Sequence, residues 1–447
     1  MFEMEKEVFH DGIALHNEIP KELRRPSDSR ICLKLGEQFY LTDDVLCRPT
    51  IFCGEMGSGK SQKIIDICRQ IDRQRRPDDA LIVFCAKPEL LDALYQPGDA
   101  VLAFDSEDPS CVHNIFREIG GANVTMQQAR TVLKEILQTI AAPFYRHTTE
   151  SFFIDASMDM LENLVLFMRE DAIANGTWNQ LSNAYLLECL DNLCQKIDAE
   201  NGSRKMAWEI LVNDSPLLRH CSVYLGNTEN PSELCLSVLS QLRTIVHRTF
   251  VGAFAGKGTF STVDAIRKGG RIFLLSDYAT SATSTAPLIT TILNRFLQLS
   301  IAQEREANQL RAYFVFDEMA QLEKLRLLEP FSYGRSAGCR VFMSLQSLKL
   351  LEKTYSPSEA TQILGLTPNI MCFYTTCPDS RAYLSKRCGV HYVPLYDSDG
   401  KMLQVIQEPV ISDVDYAKIS NTGDAFMLVG HYEPFIYHGF DPNYRRN

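Results

Sequence analysis

The sequence predicts an α/β fold: a parallel-rich central sheet with helices, and an all-helical domain inserted into it. Three observations carry the prediction. The octapeptide Gly54-Glu55-Met56-Gly57-Ser58-Gly59-Lys60-Ser61 lies between an apolar run, Pro49 to Cys53, and a helix-like stretch, Ser61 to Arg76. Further apolar runs alternate with helical periodicity, as parallel α/β sheets require. From about Val124 to Ile245 that alternation stops, and apolar residues recur three or four apart.

In chain order, residues 1–30 read as a polar arm. Ile31 to Leu46 reads as alternating strand and turn, with Phe39 to Thr42 ahead of Asp43-Asp44. After the glycine-rich loop, Ala80 to Cys85 reads as a buried strand and Ala100 to Asp105 as another. Val132, Ile136 and Ile140, then Met158, Leu161, Leu164 and Phe167, keep helical spacing. Strand-like runs return at Gly270 to Leu275, Tyr313 to Phe316, Arg340 to Leu345 and Ile370 to Tyr374. A helix-like stretch, Ala286 to Ala307, separates the first two. The expected organisation is therefore an arm (1–30), a first α/β part (31–122), a helical insert (123–245) and a second α/β part (246–447).

Composition narrows the function classes. The 447 residues are 45% hydrophobic and 23% charged, ordinary for a globular chain large enough for two or three domains. The 14 cysteines are scattered without a C-x-x-C pair, which suits reduced core thiols better than disulfides or zinc ligands. No apolar run approaches the ~20 residues of a membrane helix, and the N-terminus lacks a leader's apolar core. The expected location is cytoplasmic, or peripheral to the inner membrane through partners. A net charge of −11 argues against a generic polyanion-binding surface. Residues 123–245 hold nine Lys/Arg against fifteen Asp/Glu, a net of −6. That insert reads either as a solvated helical bundle or as an acidic docking domain.

The octapeptide fits G-x-x-x-x-G-K-[ST]. A strand, a glycine turn and a helix N-terminus present backbone N–H groups to a phosphate, and the helix end adds partial positive charge. A chance match in a chain of this length has odds of roughly one or two in a hundred. Gly54, Gly57, Ser58 and Gly59 would form the cradle, with Gln62 beside it on the helix. Lys60 would reach the β- and γ-phosphates of ATP, and the Ser61 hydroxyl would bind Mg²⁺. Such a loop needs an acidic partner at another strand end. Arg311 to Phe316 is an apolar strand closing on Asp317-Glu318. Asp317 would hold Mg²⁺, mostly through water, and Glu318 would deprotonate the attacking water. Gly334-Arg335-Ser336-Ala337-Gly338 reads as a short turn at an edge. Arg335 there is either a solvated surface group or an arginine offered to a neighbouring subunit. Gln346, directly after the Arg340 to Leu345 run, would reach a γ-phosphate or cap the strand.

Read together, these residues resemble the conjugative coupling-protein ATPases of type IV secretion, the VirD4/TraD/TraG group. The octapeptide resembles that family's phosphate loop. Ala86-Lys87-Pro88-Glu89-Leu90 resembles its D-x-K-x-E-L block, with Cys85 where its aspartate is expected. Asp317-Glu318, Gly334 to Gly338 and Ser344-Leu345-Gln346-Ser347 resemble its D-E, G-R-x-x-G and Q-S blocks. Ser110 to Asn114 resembles its block ending in W-N, with His113 replacing the tryptophan. Asp379 to Gly389 fits its final helix. The resemblance implies a RecA-like domain, ATP and Mg²⁺, and a homo-hexamer. It implies passage of DNA, or a DNA–relaxase complex, to a secretion channel with its own ATPase and membrane components. Under it Lys60, Glu318, Arg335 and Gln346 are the catalytic group. Many members carry an N-terminal membrane anchor, and no transmembrane segment is expected in this chain. Two other readings stand beside it: a VirB4-like secretion ATPase acting on protein, and a nucleotide-binding adaptor without turnover.

Overall fold

The computed structural model describes residues 13–27, 29–145, 151–193, 195–198, 204–224, 233–276, 282–302, 305, 308–419 and 424–438. The first twelve residues of the expected polar arm lie outside them, as do 303, 304, 306 and 307 of the expected Ala286 to Ala307 helix. The chain divides into two compact units, Met1–Gln96 with Ser300–Asn447, and Pro97–Leu299.

The first unit is built on a mostly parallel sheet. From one side its strands run Phe435–Tyr437, Ala425–Leu428, Asn369–Cys372, Thr50–Cys53, Cys339–Leu345, Ala312–Phe316 and Ala80–Cys85. The last five are mutually parallel, and the first two join antiparallel. Registers align the strand ends: Leu345 pairs with Cys53, Cys372 with Cys53, and Phe316 with both Met343 and Phe84. The carboxyl ends of all five parallel strands therefore open on one edge, where α/β sheets bind ligands. The expected strands at 80–85, 313–316 and 340–345 are present, and every residue of them is buried, as strands covered on both faces must be.

The glycine loop leads into the helix Lys60–Gln74, whose Ile64, Ile67, Cys68 and Ile71 are buried on one face. Each such aliphatic contributes roughly 1.5–3 kcal/mol through burial. The expected final helix spans Pro378–Cys388.

The second unit, Pro97–Leu299, is mainly helical. Met126–Tyr145, Phe152–Ala174 and Glu233–Thr249 pack on one another. A parallel strand pair, Ala100–Leu102 with Gly270–Leu275, belongs to it as well. The helical insert expected over 123–245 falls within this unit. One feature departs from an all-helical insert: Lys196–Asp198 and Arg204–Met206 form a short antiparallel pair, with Asp198 opposite Arg204.

His113 and Asn114 lie in this unit's buried polar network. The Asn114 amide donates to the Leu181 and Gly258 carbonyls, both at 2.8 Å, and its oxygen accepts from Phe116 N–H at 3.0 Å. Glu118 accepts from Thr262 N–H at 2.6 Å and the Thr262 hydroxyl at 2.5 Å, with His113 Nε2 at 3.3 Å. Burial pulls the Glu118 carboxyl up, but His113 and Thr262 outweigh it and hold it below the usual carboxylate range.

Among the described residues all thirteen cysteines are free. No helix among them is long and apolar enough to cross a membrane.

Candidate functional site

Five strand ends converge on the carboxyl edge of the first unit's sheet. The Thr50–Cys53 strand gives the loop from Gly54, the Ala312–Phe316 strand gives Asp317-Glu318, and the Cys339–Leu345 strand gives Gln346. The Ala80–Cys85 strand leads to Lys87, and the Asn369–Cys372 strand leads to Thr376. The Gln346 strand lies between the loop strand and the Asp317 strand. A side chain at its tip is thus flanked by the loop and the acidic pair.

The loop requires its glycines. Gly57 and Gly59 adopt φ of +79° and +99°, which L side chains rarely reach. An added Cβ at either would meet nothing within 4 Å, so the loop faces open space there. Gly54 is different: a Cβ would come within 2.8 Å of Phe373 Cβ. Gly59 is the residue before the helix, and its left-handed backbone turns the chain so that the helix start faces the loop.

Lys60 is buried, and its ammonium donates to the Gly54 carbonyl and, at 2.8 Å, to the Glu55 carbonyl. Burial lowers its pKa, while Glu318, Asp317 and Glu55 pull it back up. Asp317 is 7% exposed. Burial raises its carboxyl, and Lys87, Lys60 and a hydrogen bond from Ser61 oppose the rise. Ser61 and Asp317, the expected metal pair, therefore meet. Burial also raises Glu318, against hydrogen bonds from the Gln346 side chain and backbone. Glu318 Oε1 and Ser58 Oγ are buried with no hydrogen-bond partner among the described residues. A buried polar atom left unpaired costs about 1–3 kcal/mol, and these two lie at the glycine loop and the acidic pair, where a ligand would pair them. Glu318 also adopts φ +57°, a left-handed backbone that costs a non-glycine residue of order 1–3 kcal/mol and clusters at functional sites.

Thus the structure brings together Gly54, Gly57, Ser58, Gly59, Lys60, Ser61, Asp317, Glu318 and Gln346. Gln62 sits half-buried in the first turn of the helix. Arg335 stands apart: it is exposed, and it lies in the last turn of the helix Leu328–Ala337 rather than on a turn. Gly334 lies inside the helix, where a Cβ would approach Cys339 Cβ to 3.0 Å, and the helix stops at Gly338, φ +78°. Cys85 is fully buried, and burial pushes its thiol well above the usual value, so it behaves as a small core residue.

Sequence reasoning missed two contributors. Glu55 Oε1 accepts from Thr376 N–H at 2.9 Å and from the Thr376 hydroxyl. These bonds hold the Glu55 carboxyl low and pin the loop's second residue. The signal was present in the polar run after the Ile370 to Tyr374 strand. Lys87 was noted only as part of a motif, yet it is the principal charge opposing the rise of Asp317.

A family model described as the type IV secretion-system coupling protein DNA-binding domain matches residues 44–399. No curated sequence matches. Among solved structures, the bacterial conjugative coupling protein TrwBΔN70 superposes with a TM-score of 0.72 at 16% identity, over 96% of this chain and 93% of that one. The plasmid coupling protein TrwB in complex with ADP and Mg²⁺ gives 0.70 at 17%, over 97% and 94%. VirB4 of Thermoanaerobacter pseudethanolicus gives 0.53 at 10%, over 94% and 99%. These likenesses establish the fold: a RecA-like P-loop α/β architecture with an all-α domain.

Proposed function

The chain belongs to the type IV secretion-system coupling-protein family, and on that premise we propose an ATP-hydrolysing coupling protein that recruits and moves DNA, or a DNA–relaxase complex, toward a secretion channel. The observation that carries the reading is the meeting of Lys60, Ser61, Asp317, Glu318 and Gln346 at one sheet edge. The site fits ATP and Mg²⁺ on its own chemistry. Two buried polar atoms lack partners, the glycine loop faces open space, and Ser61 and Asp317 offer the hard oxygens that Mg²⁺ prefers. The relative TrwB has been seen with ADP and Mg²⁺, which supports the same pair here.

In this reading Lys60 leaves the Gly54 and Glu55 carbonyls for the β- and γ-phosphates, and the N–H groups from Gly57 to Gln62 line the phosphate side. Ser61 and Asp317 would hold Mg²⁺, which when bound would neutralise charge on the phosphate oxygens. Glu318, raised by burial, takes the proton of the attacking water. Gln346 holds the Glu318 carboxylate and reports the γ-phosphate to the next strand. Arg335, exposed at a helix end, serves the site of a neighbour in a homo-hexamer. The domain limits 31–122, 123–245 and 246–447 belong to this reading, with the acidic insert as the substrate-facing part.

The deciding experiment is ATP turnover with and without single- and double-stranded DNA, with mass followed by light scattering. DNA-stimulated turnover in a hexamer is the expected result. Turnover indifferent to DNA would move the chain toward the VirB4-like reading, and absent turnover toward an adaptor. Arg335→Ala should lower turnover by about 10³-fold or more. Mixing it with Lys60→Ala protein should restore part of that rate, and no restoration would mean that Arg335 does not act across subunits.

A further inference from the structure

In the second unit, far in sequence from the phosphate loop, three side chains of complementary chemistry meet. Asp159 comes from the helix Phe152–Ala174, and His220 and Cys221 from the short 3₁₀ helix Arg219–Tyr224. One carboxylate oxygen, one imidazole nitrogen and the sulfur lie within 4.8 Å of one another. We propose that Asp159, His220 and Cys221 form a site for a borderline-soft divalent metal, with Zn²⁺ the ion the donors suit best.

The donor types argue first. Mg²⁺ and Ca²⁺ take oxygen ligands, whereas an oxygen, nitrogen and sulfur set suits Zn²⁺. Distances argue next. Donors bound to tetrahedral Zn²⁺ at about 2.0–2.3 Å stand roughly 3.3–3.8 Å apart. Asp159 Oδ1 and His220 Nε2 are 3.8 Å apart. The His220 side chain is 51% exposed, so its ring can move the short distance that remains.

The carboxylate is also held in place by neighbours. Asn163 Nδ2 donates to Asp159 Oδ1 at 3.1 Å, and the Tyr224 hydroxyl donates to Oδ2 at 3.2 Å. Metal-binding carboxylates are oriented by such outer hydrogen bonds. Cys221 is fully buried. Burial, with Asp159 and Glu162 adding to it, pushes its thiol up to about 12. Glu162 is engaged by Arg130 at 2.5 Å, which leaves three protein ligands. Water would complete a site with three protein ligands, as in other zinc sites. On binding, the Cys221 S–H bond breaks, its proton goes to solvent and the sulfur joins the metal, so affinity rises with pH. The ion would clip the short helix Arg219–Tyr224 to the helix Phe152–Ala174.

The test uses the full chain, stripped by chelator and kept reduced, titrated with Co²⁺. One equivalent should produce tetrahedral visible bands and a thiolate-to-cobalt charge-transfer band, and Zn²⁺ should displace both. Cys221→Ser should remove the charge-transfer band. His220→Ala, at an exposed position that packing does not depend on, should weaken Co²⁺ binding at least tenfold. Tyr224→Phe should weaken it by about tenfold through the carboxylate. A chain without a stoichiometric thiolate band overturns the site. A band that survives Cys221→Ser, or Co²⁺ affinity unchanged in His220→Ala, does so as well.

Discussion

The two edges of the first unit's sheet treat buried charge in opposite ways. At the amino edge Asp79 is fully buried and fully partnered. It accepts from Arg30 Nη2 through both oxygens at 2.6 Å, from Arg311 N–H at 2.8 Å and from Arg76 N–H at 3.0 Å. Beside it Asp43 accepts from Arg311 Nη1 at 2.8 Å and Arg340 Nε at 3.4 Å. At the carboxyl edge Asp317 and Glu318 are raised by burial, Glu318 keeps one oxygen unpaired, and Lys60 is turned onto its own loop. One edge is closed by arginines that tie strand starts together. The other carries unspent polarity at a cost to stability. The contrast lies in the carboxylates: both Asp79 oxygens are paired, although Arg30 Nε beside them is not, whereas Glu318 keeps an oxygen free at the strand ends where α/β sheets bind ligands.

Turnover gives the largest test of that contrast. Glu318→Gln should retain nucleotide affinity within a few-fold by calorimetry, while single-turnover phosphate release falls by about 10²–10⁴-fold. Release at the wild-type rate would mean that the carboxyl edge keeps Glu318 for some other purpose.

Next in size is stability at the opposite edge. Asp79→Asn removes one partner of a buried ion pair and leaves Arg30 uncompensated. It should cost about 3–5 kcal/mol of the first unit's stability. Hydrogen exchange of the peptides over Ala80–Cys85 and Ala312–Phe316 reads this directly. Protection unchanged from wild type would remove the amino edge's proposed role.

The two edges also differ in how much the sequence disclosed. The carboxyl-edge residues sit in local motifs, each at the end of an apolar run, so the loop, Asp317-Glu318 and Gln346 could be read without knowing the strand order. The pairing of Glu55 with Thr376 could not. It depends on the Asn369–Cys372 strand lying beside the loop strand, a fact of long-range topology. The amino-edge network left no signal, since Arg30 and Asp79 look like any solvated charges until the chain closes. The core strands were legible because strands buried on both faces read as unbroken apolar runs. The hairpin Val390–Tyr396 with Met402–Pro409 was not, because its residues are largely exposed and mixed in character. Arg335 was misplaced for a local reason: glycines at 334 and 338 suggest a turn, yet only Gly338 ends the helix.

The smallest expected effect is the sharpest test, because its sign is opposite to that at Asp79. Burial raises the Glu318 carboxyl above its unfolded value of about 4.3. Below that value both states are protonated, and the group contributes no difference. As pH rises, the unfolded chain ionises first while the folded chain retains its proton. Folding is then penalised progressively until the folded pKa is passed. Glu318→Gln removes this penalty, so the ligand-free variant should be more stable than wild type at pH 7, by about 0.5–2 kcal/mol. The gain should shrink toward zero as pH falls to about 4. Hydrogen exchange of the Ala312–Phe316 peptide in both proteins, compared at each pH, reads the effect of Glu318 together with its coupled neighbours Lys60 and Asp317, since groups farther away cancel in the difference. A variant less stable than wild type at neutral pH would place Glu318 with Asp79, among the ions that hold the fold together.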